Sequence, residues 1–377
     1  IPRILKSDEK NMEFLSNCSA YVVEIIISKV HKHYPFPLIV QKTKNGNLND
    51  DHISQPLRMT VDNITLEDLI NFQKIDFDIV KGYYWKGQKD FSIQKEIRKI
   101  FDKRLEYQKE KNPLEQIYKL IMNSCYGKTI ERPHEKDLKY FQDDQTLERF
   151  WMKNYNKIVE DIELSHSPFS KAIHQIKTLK PIDKHFNFSL MGIQVLSMSK
   201  RIMNEVMCLA YDCGCRIYYQ DTDSFMIEKE YLPCLENQFE KKYHRKLIGS
   251  QLGQFHCDFK PISGHDEDPW AIESYFLMKK MYVMKITDST GEIDYVIRGK
   301  GLTLNSILAL AEEKFGGDVM KVYEAIYNGS QETFDLTKGQ PRFSLNKNMT
   351  VSTLDVFKRR ISTTYDKADA LEYFDFE

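Results

Sequence analysis

Two carboxylates separated by a single residue are the clearest candidates for chemistry in this chain. Asp221 and Asp223 lie in the stretch Tyr-Gln-Asp-Thr-Asp-Ser at residues 219–224, between two apolar runs rich in aromatic and β-branched residues. This pattern predicts two short strands joined at a hairpin turn. Alternate strand residues point to the same side, so we expect the carboxylates to converge on a cation. Mg²⁺ binds such oxygens together with substrate phosphates, which indicates a metal-dependent phosphoryl-transfer site.

An Asp-x-Asp pair also occurs in ordinary turns, where each side chain bonds nearby backbone, so a second group of residues is needed. The segment 112–115, Asn-Pro-Leu-Glu, predicts a helix start. On that helix Lys119, Asn123 and Tyr126 recur at i, i+4 and i+7 and share one face. This face is either a solvated polar surface or one that presents a cation, an amide and an aromatic ring to a cleft.

The opposite face of the same helix is mainly apolar and is expected to pack against the protein. It consists of Ile117, Leu120, Ile121 and Ser124. Gly127 is predicted to end the helix and to permit the close approach of another backbone or a base.

Composition sets limits on the class of protein. The chain has 377 residues, 41% of them hydrophobic, which supports a substantial core. It has no apolar run of about 18 residues, so no membrane-spanning helix is expected. The seven cysteines show no zinc-ligand spacing, which favours reduced thiols in a reducing intracellular compartment. The chain opens with Ile1-Pro2, and we expect it to be part of a longer polypeptide.

Net charge is −1, but the basic residues are clustered. Residues 95–111 contain seven basic and four acidic side chains, and further clusters occur at 241–246, 279–280 and 358–360. Each cluster alone is typical of a solvated face. Together, with tyrosines among them, they are compatible with a groove that follows a nucleic-acid backbone.

The remaining pattern predicts the elements around these groups. Strands are expected at 21–27 and 83–85, and helices from Thr65, over 92–110, over 191–210, at 303–315 and at 318–327. The helix over 191–210 should bury Val195, Met198, Ile202, Val206 and Leu209 on one face. Residues 129–190 show few clear periods and are interpreted as an irregular insertion.

Three segments together resemble the motifs of family B DNA polymerases. Residues 119–127, Lys-x-x-x-Asn-Ser-x-Tyr-Gly, resemble the family's fingers motif. Residues 219–224 resemble its palm motif, and residues 280–282, Lys-Met-Tyr, resemble the Lys-x-Tyr motif that contacts the primer. The order and spacing suit the family. The segment 82–85, Gly-Tyr-Tyr-Trp, and the insertion after the fingers motif resemble the protein-primed branch, which replicates viruses, linear plasmids and self-synthesising transposons.

The resemblance implies a role for each matching residue. Asp221 and Asp223 are the expected catalytic residues and ligands of two Mg²⁺ ions, with Mn²⁺ as an alternative. The nucleotide-binding residues are expected to be Arg104, Lys119, Asn123 and Tyr126, and the DNA-binding residues Gly127, Thr222, Lys280 and Tyr282. The expected partners are a DNA primer–template, dNTPs and a terminal priming protein. The protein is expected to be a monomer and not to bind a membrane.

The implied fold is α+β, a polymerase right hand with an antiparallel-sheet palm, helical fingers and a mainly helical thumb. Residues 1–91 would form part of the palm with a first insertion, 92–128 the fingers, and 129–190 a second insertion. Residues 191–300 would complete the palm with the catalytic hairpin, and 301–377 would form the thumb.

One motif of the family is not found in these residues. The Asp-x-x-Ser-Leu-Tyr-Pro segment, whose Asp bridges both metals, has no counterpart here, and neither has the exonuclease domain. The chain alone is therefore expected to be inactive, although the resemblance implies that the parent protein is a DNA-directed DNA polymerase. Two alternatives remain: a degenerate remnant that binds primer–template without chemistry, and a glycosyltransferase, which would explain Asp221 and Asp223 but not residues 123–127.

Overall fold

The computed structural model describes residues 2–43, 46–88, 90–131, 136–167, 170–180, 188–262, 268–338, 342–345, 351–354 and 357–363. These residues divide into two compact units, residues 1–208 and 209–377. No described helix is long and apolar enough to cross a membrane. The seven cysteines all lie among the described residues, and none forms a disulfide.

The first unit contains mixed helices and antiparallel strands. The strands are β1 (Arg3–Ile4), β2 (Ala20–Val30), β3 (Val40–Thr43), β4 (Gly46–Asn49), β5 (Leu57–Asp62), β6 (Ile75–Trp85), β7 (Lys136–Phe141), β8 (Ile158–Ser167) and β9 (Ser170–Leu179). The helices are α1 (Met12–Ser16), α2 (Asn63–Asp68), α3 (Ser92–Lys109), α4 (Leu114–Thr129), α5 (Asp144–Asn154) and α6 (Ser189–Asp212), which crosses into the second unit.

A four-stranded antiparallel sheet, in the order β1-β6-β2-β5, holds the main core of the first unit. Val23, Ile25 and Ile27 alternate along β2 and are fully buried, because alternate strand residues face the same side. They pack with Leu15 of α1 and Leu66 of α2. The strands predicted at 21–27 and 83–85 are confirmed and are longer at both sites.

Gly82 is required where β6 runs beside β2. A Cβ atom at this position would lie 2.6 Å from the carbonyl oxygen of Val22 and 2.8 Å from a side-chain carbon of Val23. The nearest of these contacts is backbone, which cannot turn away as a side chain can. Any larger residue would therefore push the two strands apart.

Polar groups join α6 to α2. The Arg201 guanidinium lies 2.6 Å from Asp68 Oδ1 through Nε and also donates to the carbonyl oxygen of Ile64. The Asn204 amide donates to Asp68 Oδ2 at 2.9 Å. Burial raises the pKa of Asp68, while Asn204 and Arg201 oppose that shift by stabilising the carboxylate. The buried carboxylate thus depends on two side chains of α6.

The predicted apolar face of α6 is only partly correct. Val206 and Leu209 are buried as expected, but Val195 and Met198 are exposed. Ser197 is buried instead, and its hydroxyl donates to Asp62 Oδ1 at 3.0 Å. A hydrophobic pattern cannot reveal a helix contact that polar side chains make.

Two further local predictions are corrected. Helix α2 begins at Asn63 and not at Thr65, because the Asp62 carboxylate caps it by accepting from the Thr65 backbone N–H. Helix α4 continues through Gly127 to Thr129, whose hydroxyl donates to the Tyr126 carbonyl oxygen. Gly127 therefore does not end the helix.

The predicted packing face of α4 is also exposed: Ile117, Leu120 and Ile121 all face solvent. Helix α4 instead contacts α3 through the rings of Tyr118 and Tyr107, whose centroids are 5.4 Å apart.

The described parts of residues 129–190 form regular elements, contrary to the prediction. Strands β7, β9 and β8 form a three-stranded antiparallel sheet in that order, accompanied by α5. Strand β7 has exposed residues on both faces, Leu138 and Tyr140 among them, and the polar–apolar alternation of its sequence covers only residues 137–140, too short to distinguish it. Ile176 of β9 is fully buried.

The second unit begins with a hairpin and continues into a sheet covered by helices. Its strands are β10 (Ile217–Asp221), β11 (Ser224–Ile227), β12 (Trp270–Met278), β13 (Met281–Thr287), β14 (Ile293–Gly299), β15 (Glu332–Asp335), β16 (Arg342–Leu345), β17 (Val351–Leu354) and β18 (Lys358–Ile361). Its helices are α7 (Leu232–Tyr243), α8 (Leu304–Phe315) and α9 (Val319–Tyr327).

Helices α8 and α9 confirm the two helices predicted after residue 300. Gly316 ends α8 in the left-handed conformation, as its position in the sequence indicates. Val283 of β13 and Tyr323 of α9 are fully buried in one core, and the Tyr323 hydroxyl donates to the Arg298 carbonyl oxygen at 2.9 Å. The described elements after residue 331 are short strands, which the sequence did not predict.

We predict that Arg201→Ala lowers the free energy of unfolding by about 3 kcal/mol, because it leaves the buried Asp68 carboxylate without its cation. Urea denaturation followed by circular dichroism measures the change. Lys200→Ala, an exposed neighbour on the same helix, is the matched control and should change stability by no more than about 0.5 kcal/mol. Equal stability of the two variants would contradict the proposed dependence.

Candidate active site

The predicted acidic hairpin is present. Strand β10 ends at Asp221, β11 begins at Ser224, and these two residues form the last pair of the ladder. Thr222 and Asp223 form the connecting turn, with Thr222 in the left-handed region at φ 54°. Asp223 thus belongs to the turn, and the alternation of strand side chains does not apply to it. The turn conformation sets its position, and its side chain is exposed.

Local hydrogen bonds position Asp221. The Thr222 hydroxyl donates to Asp221 Oδ1 at 3.2 Å, and the Ser224 hydroxyl donates to the Asp221 carbonyl oxygen at 3.1 Å. Left-handed backbone is unfavourable for a β-branched residue such as threonine. The strained turn therefore places a hydroxyl beside the carboxylate.

Lys280 contacts this hairpin from a second turn. It follows β12 in the connection to β13, with φ 60°, and its ammonium lies 2.6 Å from Asp221 Oδ2. The Lys280 backbone N–H also donates to the Tyr219 hydroxyl at 2.8 Å. Two segments that sequence motifs singled out separately, residues 219–224 and 280–282, are thus in direct contact.

This ion pair changes the pKa of both groups. The hydrogen bond from Lys280 lowers the pKa of Asp221 below its ordinary value, partial burial opposes that shift, and the Thr222 hydroxyl adds to it. The same bond raises the pKa of Lys280. Asp221 is therefore a carboxylate and Lys280 an ammonium at neutral pH.

An aromatic cluster fixes the hairpin to the sheet. Tyr219 stacks on Phe276 with ring centroids 5.2 Å apart and lies 4.9 Å from Tyr282, while Phe276 and Tyr282 are 5.6 Å apart. Burial raises the pKa of Tyr282. Sequence reasoning did not identify Phe276 as part of the site. Simple register would not have found it, because a turn at residues 279 and 280 pairs 277 with 282, and an irregularity between Phe276 and Met278 brings Phe276 opposite Tyr282 instead.

The predicted nucleotide-binding residues form a separate group on α3 and α4, in the first unit. Lys119, Asn123 and Tyr126 are exposed along α4, as their spacing predicts. The Arg104 guanidinium on α3 instead forms an ion pair with Glu115 through Nε at 2.8 Å. Arg104 therefore joins the two helices, and its predicted contact with a nucleotide stays a prediction.

Comparison with known proteins places the chain in a family. The sequence profile of the family described as DNA polymerase type B, organellar and viral, matches residues 2–206. The chain belongs to this family. Over 60 residues it is also 48% identical to the DNA polymerase of Acidianus bottle-shaped virus (isolate Italy/Pozzuoli), a segment that is 15% of this chain and 9% of the viral protein.

Solved structures show the fold of this type B polymerase chain. It is similar to Phi29 DNA polymerase complexed with primer-template DNA and incoming nucleotides, with a TM-score of 0.58 and 14% identity over 96% of this chain. The orthorhombic crystal form of the same enzyme gives a TM-score of 0.58 and 15% identity. The chain spans 54% of the length of these Phi29 chains, about half. The expected α+β polymerase fold is confirmed.

The hairpin of this type B polymerase offers donors suited to a hard cation. Asp221 and Asp223 supply carboxylate oxygens, the ligands that Mg²⁺ and Mn²⁺ prefer. Lys280 shows that Asp221 already attracts a cationic group in this position. The residues present therefore fit a divalent metal.

We predict that Lys280→Met raises the pKa of Asp221 towards its ordinary value, since the largest cause of its lowered pKa is removed. Carbon-13 NMR of the Asp221 carboxyl group during an acid titration measures this. The folded-state pKa lies below the unfolded one, so the pair stabilises the fold at neutral pH and that contribution is lost as the pH falls through the Asp221 pKa.

Lys279→Met is the matched control, because Lys279 adjoins Lys280 and makes only the smallest of the contributions to the Asp221 pKa. It should leave the titration almost unchanged. A similar shift in both variants would show that general positive charge, and not the Lys280 hydrogen bond, lowers the pKa.

Proposed function

We propose that the whole protein is a template-directed DNA polymerase and that residues 1–377 carry one part of its active site. The observation that carries the proposal is the contact between the hairpin and the Lys-x-Tyr turn, in which Lys280 bonds Asp221 and Tyr282 packs against Tyr219. A hairpin that bonded only its own backbone would be an ordinary turn. Here a separate basic and aromatic segment converges on the carboxylate.

Asp221 and Asp223 would hold the divalent metals. When bound, such ions lower the energy of the charge that develops as a nucleotide joins the primer 3′-hydroxyl and pyrophosphate leaves. The protein's own contribution is to keep Asp221 ionised and correctly placed. Lys280 supplies the first condition through its effect on the Asp221 pKa, and the turn at Thr222 supplies the second.

Lys280 would have two alternating partners. Without substrate its ammonium compensates the charge of Asp221. A flexible lysine side chain on an exposed turn can move to a primer phosphate once cations compensate that carboxylate. Tyr282, held by its ring contacts, would stay in place and position the primer terminus. Thr222 and Gly127 would also contact DNA.

The exposed face of α4 would bind the incoming dNTP. Lys119 would neutralise the triphosphate, and Asn123 and Tyr126 would line the nascent base pair, where an aromatic ring gives a surface that tolerates any base. Arg104 would act mainly by holding α4 on α3 through Glu115, and would support the phosphates indirectly.

We predict that Asp223→Asn in the full-length protein lowers primer extension by about 10³-fold, since loss of a metal ligand removes several kcal/mol of transition-state stabilisation. Incorporation of labelled dNTP on a primer–template measures this. Asp294→Asn is the matched control, because this exposed carboxylate lies on β14. Unchanged extension with Asp223→Asn would contradict the proposal.

The polypeptide of residues 1–377 alone provides a second comparison in the same assay. It contains no Asp-x-x-Ser-Leu-Tyr-Pro segment, so it should bind primer–template without extending it. Template-dependent extension by this polypeptide would show that Asp221 and Asp223 suffice for catalysis without the missing aspartate. A binding remnant would behave differently. The unaltered full-length protein would then fail to extend a primer, and its DNA affinity would depend neither on Mg²⁺ nor on the Asp223→Asn substitution.

We also propose that synthesis starts from a protein hydroxyl. The support is the resemblance of residues 82–85 to the protein-primed branch, together with the separate sheet of β7, β9 and β8, which follows the predicted fingers in the chain and would offer a surface for a priming protein. The full-length protein with its priming partner should attach a labelled nucleotide covalently to that partner. Initiation only from DNA primers would contradict this.

A further inference from the structure

A cluster of two histidines and one aspartate lies in the first unit, and none of the three is among the residues proposed for the polymerase reaction. His33 Nδ1 is 3.0 Å from Asp51 Oδ1, and His52 Nε2 is 4.0 Å from the same oxygen. One donor atom from each residue lies within 4.8 Å of the others. Within the described part of the chain, no other group of three such side chains comes this close together.

The aspartate is buried and held in a fixed orientation. Its side chain is only 1% exposed, and its Oδ2 accepts from the Gln73 amide at 2.7 Å and from the Tyr34 backbone N–H at 3.4 Å. Gln73 is itself fully buried, and its Oε1 accepts from the Leu38 backbone N–H. Oδ1 is therefore the oxygen that faces the histidines.

The backbone that carries the cluster is also ordered by hydrogen bonds. The Gln41 amide donates to the carbonyl oxygens of Asp50 and His52 at 3.2 and 3.4 Å, and the His52 N–H donates to Asp50 Oδ1 at 2.9 Å. These bonds fix the segment after β4 beside β3, and the bond from the Tyr34 N–H to Asp51 connects it to the segment after β2. The donors are thus brought together by the fold and not by sequence proximity alone.

Charge makes a cation favourable at this position. A buried carboxylate needs compensation, and amide donors supply only part of it. The two imidazole rings stack in parallel, with centroids 4.8 Å apart and an interplanar angle of 7°, so the exposed His52 ring must turn for both in-plane nitrogen lone pairs to reach one ion. With His52 turned, two rings around a shared metal ion would compensate the carboxylate on the side of Oδ1.

We propose that His33, Asp51 and His52 bind a divalent transition metal, with Zn²⁺ the best match. Zinc lies about 2.0–2.2 Å from nitrogen and oxygen ligands, which places tetrahedral donors about 3.3–3.6 Å apart. The distances from Asp51 Oδ1 lie on either side of that range, and His52, 81% exposed, can move to close the longer one. Water would complete the coordination.

The donor types separate this site from the acidic hairpin. Imidazole nitrogen favours zinc, cobalt or copper, whereas carboxylates alone suit magnesium and manganese. The bound ion would join the segment after β2 to the segment after β4 and close the loop that carries β3 and β4. It would therefore stabilise the fold without taking part in nucleotide transfer.

Cobalt binding tests the site, because Co²⁺ replaces zinc and gives a visible spectrum when nitrogen donors bind it. The full chain carrying Asp223→Asn serves as the starting protein, so that the hairpin does not contribute. It should take up one Co²⁺ ion, release it to Zn²⁺, and gain several degrees in Tm with Zn²⁺. His33→Ala and His52→Ala should each weaken binding at least tenfold and abolish the gain.

His31→Ala is the matched control, since His31 lies two residues from His33 but pairs with Asp76 and not with the cluster. It should bind Co²⁺ as the starting protein does. His52 is exposed enough that its loss should leave the fold intact, which circular dichroism would verify. A folded His52→Ala variant with unchanged Co²⁺ affinity, or no spectrum from the starting protein at a tenfold excess of Co²⁺, would overturn the proposal.

Discussion

The ion pair between Lys280 and Asp221 is the interaction on which the arrangement of the site depends. It joins two turns from different parts of the second unit, and each turn has a non-glycine residue in the left-handed conformation. Such backbone is costly, and it persists where surrounding contacts fix it. The bond from Lys280 N–H to the Tyr219 hydroxyl and the contacts among the rings of Tyr219, Phe276 and Tyr282 hold the two turns. The electrostatics of the carboxylate and the packing of the sheet are therefore coupled.

A related constraint operates in the first unit, where carboxylates are buried with specific partners. Asp68 relies on Arg201 and Asn204, which fastens α6 to α2. Asp51 relies on Gln73 and on a histidine. In each case removing water from a charge is offset only by groups that come from distant parts of the chain. Polar contacts thus determine which elements pair, while the apolar residues of β2 supply most of the buried surface.

Local sequence signals predicted a large part of this structure. The hairpin around Asp221, helices α3 and α4, and the glycine that ends α8 each follow from turn residues, helix caps or periodicity within a few positions. Motif spacing also selected Lys280 and Tyr282, which the structure places against the hairpin. These features depend on neighbours close in the chain or on a pattern already specific to one family.

The features that sequence missed depend on contacts across the fold. Strand β7 is exposed on both sides, and its polar–apolar alternation covers only residues 137–140. The apolar residues Leu120 and Ile121 indicate a packing face, yet nothing in the periodicity of α4 states whether another element covers it. The pairing of Arg104 with Glu115 likewise requires knowledge that α3 and α4 lie side by side. Periodicity describes one helix or strand at a time, whereas burial and ion pairing depend on how two elements pack together.

The backbone of Thr222 has a consequence for the chemical identity of the turn. Left-handed φ at a residue with a branched side chain costs about 1–2 kcal/mol, and glycine at the same position would avoid that cost. Glycine would also remove the hydroxyl that Asp221 accepts from. Threonine at position 222 is therefore less favourable for folding than glycine would be. It does, however, place a hydroxyl oxygen and a methyl group beside the Asp221 carboxylate.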